Sequence, residues 1–276
     1  MSGRLSGYVR YVLVGLLIAT PTFAAEPDKA FPSGVAGYVV QVQGQTVWSR
    51  QADRPLPPAS LTKVMTALLF LESRLPLDGV ATISANAARA TGTRLKLHAG
   101  EQMSAGDLLA ASLLVSANDA CLALAEHTAG SKDQFNAAMN RRAKELGLAN
   151  SNFTNPCGHD EPKHRSSARD LAALTAVAMR QPVFAKLVNT IDHDIKTIAG
   201  RSFKLENSNA LLGRYRGAMG VKTGFTPGAG NCLIAVVERN GVSVLLVVLN
   251  APNRWWESVA MLDRALEQPL VGSVAR

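Results

Sequence analysis

The apolar and polar positions of the chain fall into segments of distinct period. Residues 37–51 (GYVVQVQGQTVWSRQ) carry two short β-type runs on either side of Gly44, which predicts a hairpin. Leu56-Pro57-Pro58 then stops the strand. Residues 60–75 (SLTKVMTALLFLESRL) place apolar side chains at helical spacing, so a helix is expected from near Ser60. Residues 107–115 (DLLAASLLV) read as a buried helix. Asn118 or Asp119 is the expected cap of the next one, DACLALAEHTA, which Gly130 ends. The helix QFNAAMNRRAKELG follows, running to Gly147. Residues 150–166 form a polar loop, and Ser167 is the expected cap of ARDLAALTAVAM.

The last third changes character. VKTGF, NCLIAVVER and VSVLLVVLN are apolar and β-rich, and Asn240-Gly241 is a strong hairpin signal between the last two. A final helix, RWWESVAMLDRALEQ, follows them. Strands at both ends of the sequence and helices between them predict an α+β fold. The expectation is one antiparallel sheet flanked by helices and completed by both termini, with an inserted helical lobe.

Composition narrows the class. The chain has 276 residues, 47% of them hydrophobic and 18% charged, which fits an ordinary globular protein and excludes collagen, coiled coil and disorder. Residues 1–24 read as a secretory signal. Arg4 and Arg10 supply the positive flank, Tyr11 to Ala19 the apolar stretch, and Thr22-Phe23-Ala24 the small-residue cleavage site, with Ala25 as the new N-terminus. That apolar stretch falls short of the roughly 20 residues a spanning helix needs. Cleavage, a periplasmic location and no stable membrane anchor are expected.

The net charge is +8; removing Arg4 and Arg10 leaves 27 basic against 21 acidic residues, or +6. A basic surface suits an anionic wall polymer. Nucleic acid is not expected as a partner, because the chain carries an export signal and no basic run with interleaved aromatics. The three cysteines, Cys121, Cys157 and Cys232, allow one disulfide and one free thiol. Cys121 lies in an apolar helical run and is expected to be the buried free thiol; Cys157–Cys232 is the expected pair.

Three short motifs carry chemistry. Ser60-Leu61-Thr62-Lys63 is S-x-x-K, Ser116-Ala117-Asn118 is S-x-N, and Lys222-Thr223-Gly224 is K-T-G. Singly, each residue reads as a cap, a turn residue or a surface side chain, and a second S-x-N at Ser84 shows how cheap that motif is. The conjunction and order carry the reading. On a helix, residues i and i+3 share a face, so Lys63 can reach the Ser60 hydroxyl. A serine becomes a nucleophile when a neighbouring base takes its proton. A lysine serves as that base when burial or a nearby cation lowers its pKa, and Lys222 is a candidate cation. Free N–H groups at the helix start can hold a developing oxyanion. A strand bearing K-T-G offers an edge to an extended peptide, with Lys222 and Thr223 meeting its carboxylate.

These motifs and their surroundings resemble the low-molecular-weight penicillin-binding proteins, the serine D-alanyl-D-alanine carboxypeptidases of the S11 type. The likeness runs through PPASLTKVMTALL, LLVSANDACLALAEHTAGS, LGLANSNFTNPCGHDEPKHRSSARDLAAL, ENSNALL and GVKTGFTPGAGNCL, and covers roughly residues 35–266. It implies Ser60 as the acylated nucleophile, Lys63 as its general base, and Ser116 and Asn118 as proton-passing and amide-holding groups. Lys222, Thr223 and Gly224 would bind the terminal carboxylate and align the peptide. The N–H groups of Ser60 and Phe225 would form the oxyanion hole. The implied substrate is the peptidoglycan stem peptide, with β-lactam antibiotics as inhibitors and no cofactor or metal. Residues 25–276 are expected to be one catalytic domain without the C-terminal β domain or amphipathic anchor of many relatives. Phe225 stands where several relatives have a polar residue, and Gly158-His159-Asp160 where they have G-L-D. Arg254 is the nearest match to a carboxylate-binding arginine.

Other readings are weaker. Cys157, His159, Asp160 and His164 have metal-ligand chemistry, but their spacing matches no zinc pattern. No G-x-S-x-G elbow is present. A β-lactamase needs a deacylating acid, for which Glu161 is the only nearby choice and lacks that family's surroundings. An endopeptidase that cuts cross-links shares the acylation step and is not separated by sequence. Intact motifs argue against a non-catalytic wall-binding protein.

Overall fold

The computed structural model describes residues 34–267, so the expected signal segment lies outside the described residues. The chain opens with the hairpin β1 (Gly37–Val42) and β2 (Gln45–Arg50). Gln43 and Gly44, both at positive φ, make its two-residue turn. A 3-10 turn, Ala59–Thr62, leads into α1 (Lys63–Glu72). Then come β3 (Val80–Thr82), α2 (Ala85–Ala88), β4 (Gln102–Ser104), α3 (Ala105–Leu114), α4 (Asn118–Ala129) and α5 (Lys132–Glu145). After the loop that ends at Ser167 lie α6 (Ala168–Ala178), α7 (Pro182–Val188) and the hairpin β5 (Asp192–Lys196) and β6 (Ser202–Glu206). Strands β7 (Ala218–Thr226), β8 (Gly230–Arg239) and β9 (Val242–Ala251) precede α8 (Arg254–Leu266).

The main sheet is antiparallel with strand order β2-β1-β9-β8-β7, so the first strand pairs with the last. Its central strands bury both faces. On β8, Ile234 and Val236 pack into the helical lobe while Leu233, Ala235 and Val237 face α8. On β9, Val247 and Leu249 face the lobe while Val244, Leu246 and Val248 face α8. Successive side chains of a strand point to opposite faces, and here both faces are covered. This is why these strands read as continuous apolar runs rather than alternating ones. Helix α8 supplies Met261, Leu262 and Ala265 to its layer. Burial of Met261 and of Leu262 contributes about 1.5–3 kcal/mol each.

Local signals set several ends. The Ser167 hydroxyl accepts from the Asp170 N–H and caps α6. Gly130 ends α4 at φ 82°, and Asn240 and Gly241 take the two positive-φ positions of the β8–β9 turn. One local expectation holds and another fails. The helix expected from near Ser60 is present: Ser60 lies in the 3-10 turn Ala59–Thr62, which runs directly into α1 at Lys63. Asn118 and Asp119 do not cap α4, whose N-cap is Ala117. Their side chains serve distant partners instead: Asn118 bonds Lys63 and Thr91, and Asp119 accepts from the N–H groups of Leu95 and Leu97.

The expected cysteine pairing is also overturned. The disulfide joins Cys121 to Cys157, with Cα atoms 6.0 Å apart, and Cys232 is the free thiol. Cys121 lies one turn into α4, on the face that meets the loop carrying Cys157. Cys232 lies within β8 opposite Gly224, and burial pushes its thiol up to about 11, which leaves it unreactive.

The loop at Gly158 lies hard against the turn that carries Ser60. A Cβ at Gly158 would stand 1.9 Å from the Ala59 carbonyl oxygen, and its φ is +87°. At Gly241, by contrast, φ is +76° with open space around it. Gly241→Ala should cost only about 1–2 kcal/mol of backbone strain. Gly158→Ala should cost about 3 kcal/mol or more, because backbone must move. Urea unfolding midpoints of the two variants would check this, and equal midpoints would refute the close contact.

Candidate active site

Ser60 is presented by a strained turn. Ala59 adopts φ 48° without being glycine, and the chain then winds one 3-10 turn before α1 starts. A hydrogen-bond chain holds that turn from behind. The Thr154 N–H donates to His164 Nδ1 at 3.1 Å, so the ring proton lies on Nε2. Nε2 donates to Thr62 Oγ1 at 2.8 Å, and Thr62 Oγ1 donates to the Ala59 carbonyl at 2.8 Å. Burial lowers His164 to about 4, which keeps the imidazole neutral and its tautomer fixed.

Lys63 follows Ser60 by one turn and is fully buried. Its Nζ lies 3.0 Å from Ser60 Oγ, 2.8 Å from Asn118 Oδ1 and 2.7 Å from the Cys157 carbonyl oxygen. Burial first, and then the charge of Lys222, bring its pKa well below the ordinary lysine value. A neutral amine has two N–H bonds and one lone pair. In the neutral form, Asn118 and Cys157 accept the two N–H bonds and the lone pair faces the Ser60 hydroxyl. Asn118 is itself fixed, since its Nδ2 donates to the Thr91 carbonyl at 2.7 Å.

Ser116 stands at the turn between α3 and α4 with φ 62°. Its Oγ is buried and finds no hydrogen-bond partner among the described residues. A buried hydroxyl left unpaired costs about 1–3 kcal/mol, and such orphans mark sites completed by a ligand or water.

Strand β7 forms the opposite wall. Lys222 is buried, donates to the Thr223 carbonyl at 3.0 Å, and is lowered to about 7 by burial and by the charge of Arg254. Thr223 Oγ1 and Ser208 Oγ are 2.7 Å apart. Gly224 allows the close approach of β7 to the nucleophile turn: a Cβ there would lie 3.1 Å from Ala59 Cβ and 3.2 Å from the Ser60 nitrogen. Phe225 projects outward with 60% of its surface exposed. Arg254, at the first position of α8, donates to the Gly224 carbonyl at 2.6 Å, and so braces the strand end.

The loop between α5 and α6 closes the site on a third side. Asn155 Oδ1 accepts from the N–H groups of Cys157, Gly158 and His159, which folds the loop into a nest. Asp160 accepts from Thr226 Oγ1 at 2.6 Å and from the Gly228 N–H at 2.9 Å, and ties the loop to the β7–β8 turn. The four ligand-type residues of this loop are thus spread over separate tasks. Cys157 is in the disulfide, His164 buttresses the Ser60 turn, Asp160 bridges to β7, and His159 is half-buried beside them. Among the described residues no group of three His, Cys, Asp or Glu side chains converges as a metal site. Glu161 accepts from Asn155 Nδ2 at 3.1 Å.

The structure therefore gathers Ser60, Lys63 and Asn118 into direct hydrogen-bond contact and sets Gly224 beside them. Four supporting features were not read from the sequence: Asn155, the role of His164, Ser208, and the Cys157 carbonyl. An Asn-Pro dipeptide marks a turn, so Asn155-Pro156 carried a usable signal. The other three meet partners far away in sequence and leave no local trace.

A sequence profile of the D-alanyl-D-alanine carboxypeptidases, peptidase family S11, matches residues 24–253. The chain is 34% identical to a D-alanyl-D-alanine endopeptidase of Pseudomonas aeruginosa, over 99% of this chain and 92% of that one. It is 32% identical to the D-alanyl-D-alanine carboxypeptidase DacF of Bacillus subtilis, over 93% of this chain and 70% of that one. The Streptomyces K15 DD-transpeptidase structure superposes with a TM-score of 0.82 at 29% identity, covering 86% of this chain and 99% of that one. With the fold, the profile and the relatives in agreement, the chain belongs to peptidase family S11, the D-alanyl-D-alanine carboxypeptidases.

Proposed function

We propose that the protein is a serine D-alanyl-D-alanine carboxypeptidase of peptidoglycan stem peptides, working through an acyl-enzyme on Ser60. The observation that carries this is the amine of Lys63, buried, with two acceptors holding its N–H bonds and its third direction aimed at Ser60 Oγ 3.0 Å away. Lys63 takes the hydroxyl proton as Ser60 Oγ attacks the carbonyl of the penultimate D-alanine. The N–H groups of Ser60 and Phe225 receive the oxyanion; losing one such donor typically costs about 3–4 kcal/mol of transition-state stabilisation. Ser116 Oγ, otherwise unpaired, passes the proton to the departing D-alanine nitrogen, and Asn118 holds the substrate amide. Lys222 and Thr223 bind the terminal carboxylate, while Gly224 lets the peptide lie along β7. Water then attacks the Ser60 ester; Lys63 takes a proton from that water and gives it to the departing Ser60 Oγ, which releases the acid and restores both side chains.

The roles of these residues rest on their geometry and on the family's chemistry together. Export to the periplasm rests on the residue pattern of 1–24. Among the described residues no single helix is long and apolar enough to cross a membrane. A second reading, cleavage of D-alanyl cross-links, is favoured by the 92% coverage of the endopeptidase relative. Digestion of purified muropeptides separates the two. Loss of a terminal D-alanine from pentapeptide monomers marks the carboxypeptidase, and conversion of cross-linked dimers to monomers marks the endopeptidase.

Two further outcomes are expected. Intact mass after mixing with penicillin should show one persistent adduct, absent in Ser60→Ala. Hydrolysed penicillin without an adduct would identify a β-lactamase instead, and intact penicillin without an adduct a non-catalytic protein. The second concerns pH. Acylation needs Lys63 neutral, so its rate rises with pH through the lowered pKa of Lys63. Lys222→Ala removes the positive charge that helps hold that pKa down. The pKa of Lys63 should then rise and the acidic limb of acylation should move to higher pH. The KM for a peptide with a free terminal carboxylate should also rise, by on the order of 10-fold for a lost charged contact of about 1.5 kcal/mol. An acidic limb that stays in place in Lys222→Ala would sink the role of Lys222 as the tuning cation.

A further inference from the structure

The disulfide does not lie at the periphery. Cys157 has two engagements: its carbonyl accepts from Lys63 Nζ at 2.7 Å, and its sulfur is bonded to Cys121. Cys121 lies three residues after Asn118, whose Oδ1 is the other acceptor that orients Lys63, at 2.8 Å. The two acceptors therefore sit at the ends of a short covalent path: one turn of α4, the disulfide, and the backbone of Cys157. The residue before it, Pro156, accepts through its carbonyl from Thr66 Oγ1, one turn further along α1. Both sulfurs are buried, and the bridge spans 36 residues of chain. Without it, the loop would be held by hydrogen bonds alone, among them those from Lys63 and Thr66 of α1 to the Cys157 and Pro156 carbonyls, from Asn136 and Asn140 of α5 to the Thr154 and Phe153 carbonyls, and from Thr226 and Gly228 to Asp160.

We propose that the Cys121–Cys157 disulfide is a positioning device for Lys63. It clamps the Cys157 carbonyl at a fixed distance from the Asn118 amide, so that the amine lone pair stays aimed at Ser60. This rests on the reading of Lys63 as the general base. Two acceptors on separate elements define the third direction of an amine only if the distance between them is fixed. Catalytic groups need placement within about 0.5 Å, and a cross-link between the loop and α4 removes their relative drift. Bridge formation takes two electrons and two protons from the two thiols and gives them to a disulfide oxidant, which becomes a dithiol. The acylating site is thereby completed in an oxidising compartment and left slack in a reducing one. Cys232, buried in β8 on the far side of Gly224, takes no part.

The test compares bridged protein with Cys121→Ser/Cys157→Ser, which keeps the Cys157 backbone carbonyl and loses only the link. Thiol titration of denatured protein gives one thiol for the bridged chain, since only Cys232 is free. Penicillin acylation is followed by intact mass across pH, with the rate expressed per acylable site. The unbridged protein should acylate about 10-fold to 100-fold more slowly, the range that a misplacement of ~1 Å produces. The acidic limb of its pH profile should also move to higher pH, because a loosened pocket admits water and Lys63 regains basicity. A merely structural bridge would lower the melting temperature and the acylable fraction while leaving that limb in place. Equal rates per site and superimposed limbs overturn the proposal. If the double variant does not fold, the same readouts are taken on wild-type protein made in a reducing cytoplasm and kept anaerobic, verified by its three titratable thiols. No adduct on Ser60 in the bridged protein would overturn the reading of the nucleophile itself. An adduct in both forms with identical kinetics would overturn only the role of the disulfide.

Discussion

A lysine amine with no exposure to solvent is the constraint around which the active end of this molecule is organised. Burying an ammonium ion costs several kcal/mol, and a protein commonly answers by lowering the pKa until the group is neutral. Neutrality creates a second demand, since the amine still has two N–H bonds that must find acceptors. Asn118 meets one from the start of α4, and the Cys157 carbonyl meets the other from the loop between α5 and α6. Both acceptors are themselves held, Asn118 by Thr91 and the loop by Asn155 and the disulfide. What remains unsatisfied is one lone pair, and Ser60 occupies its direction. The geometry of the general base we propose is the remainder left after an ordinary rule of buried polar groups has been obeyed.

Strain accompanies this arrangement. Ala59 and Ser116 both take positive φ without being glycine, and each flanks a residue of the site. Such backbone costs on the order of 1–3 kcal/mol per position and persists only where neighbours over-determine it. For Ala59 the neighbours are visible: Thr62 donates to its carbonyl, His164 donates to Thr62, and the Thr154 N–H fixes the tautomer of His164. Gly158 and Gly224 approach the same turn from two sides with no room for a side chain. Ser60 is thus gripped between a loop and a strand that are far apart in sequence.

Some of this was legible in the residues and some was not, for physical reasons. The central strands β8 and β9 were legible because both faces are buried, which makes long apolar runs. The hairpins β1–β2 and β8–β9 were legible because their turns need positive φ, which Gly and Asn supply. The β5–β6 hairpin was not, since Asp192, His193, Asp194 and Lys196 face solvent and only Ile195 and Leu205 are buried in it. The proximity of Ser60 and Lys63 followed from i,i+3 geometry. The pairing of Cys121 with Cys157 did not, because an apolar helical face says that a cysteine is buried and not what it is buried against. Asn118 looked like a cap because side chains of its kind commonly serve the nearest free N–H. Here a buried amine 55 positions earlier in the chain makes the stronger demand.

The two lysines of the site pose a last problem, because each bears on the other's charge. Lys222 helps to lower Lys63, and Arg254 helps to lower Lys222, so three cationic side chains share one poorly solvated region. Burial first, and then the charge of Lys222, lower the pKa of Lys63 and so favour its neutral form. In the mechanism we propose, a substrate carboxylate at Lys222 and Thr223 would bring a negative charge into the same region. Opposite charges favour the protonated form of a lysine, so Lys63 becomes more basic as the carboxylate docks. In the mechanism we propose, docking of the carboxylate would thus raise the basicity of Lys63 at the point where it must accept a proton. A peptide without a terminal carboxylate would leave the repulsion in place and present Ser60 to a weaker base. On this proposal, recognition of the terminal carboxylate and activation of the serine are one electrostatic event, joined through the side chains of Lys222 and Lys63.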